Sequence, residues 1–424
     1  MGILLKNADF VDPAAQSIAH TDLLVEDGHI AAMGEHLPEL DHQVVDLTGK
    51  YLCPGLVDMH VHLRDPGLTD KEDIASGTRA AAAGGFTAVC CMPNTKPAID
   101  NVETVNYVNQ KAAETGSCRV YPIAAVTLGQ QGAQLTDFAA LSQAGAIAFS
   151  DDGVPVDSAK RMRDALLAAK ALNKIVISHC EDREMVMNYG VNEGAVSKEL
   201  GLPGRPAIAE DLMVARDLML SAETGAHVHI AHVSTAGAAA LIREAKARGV
   251  NVTAETCPQY FIFTEQEILT KGTAARVNPP LRTEADRETI LAAVLDGTLD
   301  CIVTDHAPHT PAEKARPLPE APSGMVGLET SLGACLTHLV RPGHLTLPQL
   351  IAKMTTVPAS ILGLPVATKV GDIADLTAFD PDETWTVDPE NFRTKGRSTV
   401  FTGETLTGRV VLTICGGKIT YSGL

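Results

Sequence analysis

Eight apolar, β-rich runs, each ending in polar residues, recur through the middle of this 424-residue chain: LVDMHVH, FTAVCCMPN, RVYPIAAVT, AIAFSDDG, IVISHCED, HVHIAHVS, VNVTAETC and DCIVTDHAPH. Most of the gaps carry Ala-rich stretches whose apolar positions fall at helical spacing, among them EDIASGTRAAAAG, SAKRMRDALLAAKALN, DLMVARDLMLSAETG, TAGAAALIREAKARG and ADRETILAAVLDG. Strands that are apolar almost throughout must be covered on both faces, the condition of a parallel sheet with helical crossovers. Eight strand–helix units over about 300 residues predict an α/β chain organised as a closed (β/α)8, TIM-like barrel. A doubly wound open sheet is the alternative.

The chain ends have a different texture. ILLKNADFV, DLLVEDGHIAAMG and HQVVDLTGKYLCPG at the start, and ADLTAFD, WTV, STVFTG and RVVLTICGGKITYSG from about residue 366, read as short strands broken by turns, with hairpins signalled by β-branched residues and Asp27-Gly28. GGKITYSG near the end echoes DGHIAAMG near the start, as if both ends built one small β domain. The expected organisation is therefore a barrel over 53–365 and a β-sandwich domain assembled from 1–52 and 366–424. Two gaps are not simple helices: GVNEGAVSKELGLPGRP after the fifth run and APHTPAEKARPLPEAPSG after the eighth. Long loops beyond the strand ends of a barrel are usually functional.

Composition narrows the partner class. With 34 Lys and Arg against 52 Asp and Glu, the net charge is −18, which disfavours nucleic acid or an anionic membrane and leaves a small molecule. The nine Cys form no CxxC pair, Cys90 and Cys91 are adjacent, and neither a leader nor a membrane-length apolar run is present, so a soluble cytoplasmic protein is expected.

In a barrel the C-terminal strand ends converge on one face, so the polar tails of the runs should meet there. They supply His60, His62, Asn94, Asp151, Asp152, His179, His232 and Asp305. Strand residues two apart point the same way, so His60 and His62 can grip one ion together. The donors arriving from other strands suffice for more than one divalent ion, with Zn2+ the best match to imidazole and carboxylate. His227 and His229 sit at the start of their run and read as structural. His306 follows Asp305 directly and should point elsewhere, in a supporting role. His20, His29, His36, His42, His338 and His344 read as surface or packing residues. No GxSxG elbow occurs, and Cys180 and Cys257 read as packing residues rather than nucleophiles. No GxGxxG follows the first strand and no Walker A string exists, which argues against a dinucleotide or a nucleoside triphosphate.

DMHVHLRDPG, MPNTKPAID, FSDDG, SHCED, AHVST and VTDHAPH together resemble the dihydroorotases of the bacterial class I type, within the amidohydrolase superfamily, and the resemblance spans essentially the whole chain. It implies reversible cyclisation of N-carbamoyl-L-aspartate to L-dihydroorotate and water in de novo pyrimidine (UMP) synthesis, with two Zn2+ per subunit. His60 and His62 match the paired ligands of the first metal and His179 and His232 those of the second. Asp305 matches an acid that contacts metal and shuttles protons as general acid and base. Many relatives bridge their metals with a carboxylated lysine on the fourth strand. Here the pattern implies an aspartate instead, placed at Asp152 with Asp151 as the fallback. The same pattern sets His62 beside the substrate, Arg64 and Asn94 on its carboxylate, and Asn278, His309 and the Ser323-Gly324 backbone around the ring. Many relatives carry an aromatic residue where Ser323 stands.

The chemistry agrees with these roles. A tetrahedral carbon bearing an oxyanion calls for a metal-held hydroxide and electrostatic stabilisation, and the substrate's remaining carboxylate calls for the planar fork of an arginine. The nearest rivals are other cyclic-amide hydrolases (dihydropyrimidinase, hydantoinase, allantoinase), which have no need of Arg64. A rival of another class is a non-catalytic scaffold for aspartate carbamoyltransferase. A homodimer and association with that enzyme stay open at this point.

Overall fold

The computed structural model describes residues 2–186 and 190–424. All eight runs form strands: Leu56–Val61, Phe86–Cys91, Arg119–Ala124, Ala148–Phe149, Val176–Ser178, Val228–Ile230, Val252–Thr256 and Cys301–Ile302. They pair in parallel, each with its neighbour in sequence, with no reversal of order. The eighth meets the first through a bridge between Val61 and His306, where the His62 N–H donates to the His306 carbonyl at 2.8 Å. Sequential order with the two outer strands joined makes a barrel and removes the open-sheet alternative, which needs a switch in strand order.

Helices Ile74–Ala83, Ala159–Ala171, Ile208–Thr224, Ala236–Ala247 and Glu284–Leu295 occupy the Ala-rich gaps. Their starts are chemically marked. Asp73 accepts the N–H of Ser76, whose hydroxyl returns to the Asp73 N–H, and Thr283 and Asp286 repeat the arrangement, satisfying donors that a helix start otherwise leaves unpaired.

The chain ends form one mixed sheet. Ile3–Asp12 pairs antiparallel with Ser17–Glu26, which pairs with His29–Gly34 across the Asp27-Gly28 turn. HQVVDLTGKYLCPG, read as one run, splits at Leu47 to Lys50 into Gln43–Asp46 and Tyr51–Pro54, both parallel to the first strand. Tyr51–Pro54 then pairs with Leu376–Thr386, followed by Thr405–Cys415 and Lys418–Ser422. The sequence echo has a physical basis. The two hairpin turns touch: Gly28 and Gly417 both have positive φ, and a Cβ on Gly417 would lie 2.5 Å from the Gly28 Cα. One expectation fails, because STVFTG is not a strand. Its Ser398 carbonyl accepts the Val326 N–H and the segment turns against the barrel, where burial of Val400 and Phe401 holds it.

This sheet has its own core around Leu5, Phe10, Leu23, Leu52, Leu376 and Leu412. It is tied to the barrel by Arg119, which donates to both carboxylate oxygens of Asp375 at 3.0 and 3.2 Å, and by Thr377 and Thr413 hydroxyls on the Gly85 and Ala82 carbonyls. Among the described residues no helix is long and apolar enough to cross a membrane.

Candidate metal centre and substrate cleft

Asp152, just beyond the fourth strand, lies at the centre of four imidazoles. Its Oδ1 is 3.3 Å from His60 Nε2, 3.5 Å from His179 Nδ1 and 3.7 Å from His232 Nε2, and its Oδ2 is 3.4 Å from His62 Nε2. From the opposite side Asp305 Oδ1 comes within 3.2 Å of His62 Nε2 and 3.6 Å of His60 Nε2. His179 Nδ1 and His232 Nε2 are 2.8 Å apart. The strand period sets His60 and His62 side by side, and barrel closure brings the others from the fourth, fifth, sixth and eighth strand ends.

Burial disfavours ionisation of both acids, but His60 and its neighbouring imidazoles outweigh it and hold Asp152 well below, and Asp305 below, the usual carboxylate range. The backbone is strained here as well. Arg64, His232 and Asp305 have φ of 59°, 34° and 48°, left-handed conformations that a side chain disfavours, and such strain concentrates at functional sites.

Three buried atoms, His60 Nε2, Asp152 Oδ1 and His232 Nδ1, have no hydrogen-bond partner among the described residues. His60, His62 and Asp305 converge their ligand atoms within 4.8 Å, and so do His60, Asp152 and His232. Unpaired lone pairs of imidazole and carboxylate facing one another are what a divalent cation requires, so the residues present fit one.

Asp151 does not join this group. Its Oδ1 accepts the N–H of Val126 at 2.8 Å and of Thr127 at 3.1 Å, and burial pushes its pKa up to about 6. Adjacent residues diverge at a strand end, which separates the two aspartates that the sequence left open. His306 also turns away, with its ring against Glu72 and Thr394 and Nδ1 accepting the Gly327 N–H. His229 lies within the sixth strand rather than at its start, buried against Thr253 and Glu255, while His227 bonds Thr253. Cys180 and Cys257 are buried in the core.

Above the centre opens a cleft of about 420 Å³, lined among others by His62, Arg64, Asn94, Asp152, Asn278, His309, Ser323 and Gly324. Asn94 Oδ1 lies 2.9 Å from His62 Nδ1, which fixes that nitrogen as the donor and turns Nε2 toward the acids. Arg64 is held by the Pro308 carbonyl at 3.2 Å, with Nη2 3.5 Å from His309 Nε2. His309 Nε2 lies 2.9 Å from the Ser323 carbonyl, so its proton sits on that nitrogen. Burial and the positive charges of Arg64, Lys71 and Lys314 push the pKa of this imidazole down to about 3, leaving it neutral. Gly324 has φ 134°, and a Cβ there would lie 2.7 Å from the Ala307 carbonyl, so the loop closes only with glycine. Lys314 staples this loop by donating to the carbonyls of Gly324 at 2.8 Å, Pro322 at 3.1 Å and Arg276 at 3.4 Å.

Several lining residues escaped sequence reasoning. Arg205, from GLPGRP, reaches Glu181 at 2.7 Å and also donates to Asn278 Oδ1. Its loop is anchored by Arg282, which donates to Asn192 Oδ1 at 2.9 Å and to the Arg205 carbonyl at 3.1 Å. Arg276 lines the same cleft. The only sequence signal for Arg205 was the length of the loop after the fifth run, and Arg276 and Arg282, which follow the seventh, had none. Glu255 and Asp58 were visible as acids inside apolar runs, and both are fully buried beneath the histidines.

Residues 49–238 match the family model described as Dihydro-orotase-like, and residues 210–421 match that of the Amidohydrolase family. A curated dihydroorotase from Syntrophus aciditrophicus is 50% identical over 425 residues, covering 99% of both chains. One from Pelotomaculum thermopropionicum is 49% identical, covering 99% of this chain and 98% of that one. Among solved structures, the L-hydantoinase (dihydropyrimidinase) of Arthrobacter aurescens superposes with a TM-score of 0.88 at 26% identity, covering 99% of this chain and 96% of that one.

Proposed function

The chain belongs to the dihydroorotase family of amidohydrolases, and we propose from that premise how its strand ends interconvert N-carbamoyl-L-aspartate and L-dihydroorotate. The enzyme is a metal-dependent cyclic amidohydrolase that serves pyrimidine synthesis. The observation that carries the reading is near-50% identity to dihydroorotases from end to end, joined to a cleft in which Arg64 stands directly above the histidine–aspartate group.

In the proposed arrangement His60, His62, Asp152, His179, His232 and Asp305 hold two divalent ions, with zinc suited to this donor set. When bound, such ions supply Lewis acidity and a lowered pKa for water at neutral pH. The chain's own residues do the rest. Asp305, ionised and 3.2 Å from His62, takes a proton during ring opening and returns it to the departing ring nitrogen, and in ring closure it runs the same exchange backwards. Arg64 pairs with the substrate carboxylate that the ring retains, beside Asn94. Asn278, which also lines the cleft, has its carbonyl oxygen turned toward Arg205 and its amide nitrogen toward His179 and Glu181, each at 3.5 Å. Neutral His309 and the Ser323-Gly324 backbone border the ring.

The hydantoinase-like solved structures share this fold at much lower identity, and the role proposed for Arg64 on the ring carboxylate is what separates the two readings. A homodimer and association with aspartate carbamoyltransferase extend the proposal. The deciding experiment is ring opening of dihydroorotate and of dihydrouracil by the purified protein with its metal content measured. Turnover of dihydroorotate with bound zinc is expected, and efficient turnover of dihydrouracil alone would overturn the substrate assignment.

A further inference from the structure

Beneath the cleft the barrel interior holds a carboxylate that the proposed chemistry does not use. Glu255, near the end of the seventh strand, is completely buried. Its Oε1 lies 2.6 Å from His60 Nδ1 and accepts the backbone N–H of His232 at 3.4 Å, while its Oε2 lies 3.1 Å from His229 Nε2. One carboxylate from a single strand thus reaches the side chain of one candidate ligand, the backbone of a second, and the neighbouring His229. Asp58 completes the frame, since its Oδ1 accepts the His60 backbone N–H at 2.9 Å and its Oδ2 the Thr304 N–H at 3.1 Å, joining the first and eighth strands.

The chemistry of these contacts fixes a proton. An ionised carboxylate only accepts, so the His60 proton must sit on Nδ1. The lone pair is then on Nε2, the atom that has no hydrogen-bond partner among the described residues and that lies 3.3 Å from Asp152 and 3.6 Å from Asp305. At His232 the contact falls on a residue whose backbone is left-handed, with φ 34°, and helps hold the turn that aims its ring.

We infer that Glu255 is a positioning residue that sets the tautomer and orientation of His60 and the backbone of His232, so that both present lone pairs to a divalent cation. The inference rests on reading His60 and His232 as cation ligands. Partners of this kind in an outer shell are worth roughly tenfold to a hundredfold in metal affinity. Glu255 acts through the histidines and touches neither substrate nor ion.

The test is Glu255→Gln, read by cobalt and zinc affinity in competition with a chelator and by the visible spectrum of the cobalt-loaded protein. An amide nearly preserves the shape but cannot accept from all three donors at once. Affinity should fall roughly tenfold to a hundredfold and the cobalt bands should shift. A His229→Gln variant, which leaves the Glu255–His60 contact in place, should lower the melting temperature of the metal-free protein while changing affinity much less. Unaltered affinity and spectrum in Glu255→Gln, with only a lowered melting temperature, would reduce Glu255 to core packing and overturn the inference. Should that variant not fold, nitrogen NMR of the unaltered metal-free protein decides: a proton on His60 Nδ1 is expected, and an unprotonated Nδ1 would overturn the inference. If instead the unaltered protein takes up neither cobalt nor zinc, the failure is that of the cation site itself, a different result from normal uptake that is insensitive to Glu255.

Discussion

The floor and the rim of the cleft are built by opposite means. On the floor, His60, His232 and Asp152 come from strand ends and are almost fully buried, and His60 is fixed by Glu255 from the seventh strand and Asp58 from its own. On the rim, Arg205, His309, Ser323 and Gly324 come from the long loops after the fifth and eighth strands. These loops are held by cations on backbone carbonyls: Lys314 on two carbonyls of one and on that of Arg276 after the seventh strand, Arg282 on a carbonyl of the other. Strand ends cannot move without breaking the barrel, which suits groups that must stay within tenths of an ångström, whereas loops can change their residues at little cost to the fold. In the proposed mechanism, reaction chemistry therefore belongs to the floor and substrate choice to the rim. The shared fold of dihydroorotases and hydantoinases is consistent with that division.

The comparison is broken most severely by removing the floor's cation. Dialysis against a chelator should take ring opening to background and restoration with zinc should recover it, as followed by assay and metal analysis; full activity in a demonstrably metal-free preparation would refute the floor's role. Next in size is Asp305→Asn, which can still approach an ion but cannot exchange a proton. Its kcat should fall by roughly 10² to 10⁴ with folding intact by circular dichroism, and retention of more than about a tenth of the rate would reassign the proton transfer.

On the rim, Arg64→Met removes a charged hydrogen-bonding fork worth about 1.5 to 3 kcal/mol. That should lower kcat/KM for dihydroorotate by roughly one to two powers of ten. Dihydrouracil, the same ring without the carboxylate, should be a poor substrate for both proteins and nearly indifferent to the change. Equal losses on both substrates would move Arg64 from the rim's task to the floor's. A smaller effect is expected from Lys314→Met, which frees the 322–324 segment. KM should rise by roughly twofold to tenfold, the size of one ordinary hydrogen bond, with kcat less affected.

The smallest effect concerns pH. The pKa of His309 is lowered from its ordinary value to about 3, so it is already neutral throughout the range above pH 5 and its folded form gains no proton there. Because a lowered histidine pKa means that the unfolded chain binds the proton more readily, any contribution of this group destabilises the fold only as pH falls below its unfolded value near 6.5. The acid limb of kcat/KM between pH 5 and 7 should therefore keep its midpoint in His309→Asn even if the rate falls, and a displaced midpoint would show that His309 titrates in that range.

Local pattern determined much of this protein. Eight apolar runs with polar tails were enough to specify a parallel sheet and to favour a barrel, because a strand covered on both faces is apolar throughout, while strand order and closure removed the open-sheet alternative. His60 and His62 were legible as a pair from the two-residue strand period alone, and the hairpin turns at Asp27-Gly28 and Gly416-Gly417 from their glycines. Tertiary structure decided what periodicity cannot carry. Whether Asp151 or Asp152 faces the histidines depended on how the chain leaves the fourth strand, and Asp151 is claimed by the N–H groups of Val126 and Thr127 from the third. STVFTG has the composition of a strand but packs as a turn, held by the Val326 N–H on the Ser398 carbonyl and by burial of Val400 and Phe401. Glu255 reads locally as an acid misplaced in an apolar strand. It becomes intelligible only when barrel closure brings His60, from 195 positions earlier in the chain, to within 2.6 Å. A pattern along the chain records which way each side chain points, whereas the partner it meets is set by the closing of the sheet.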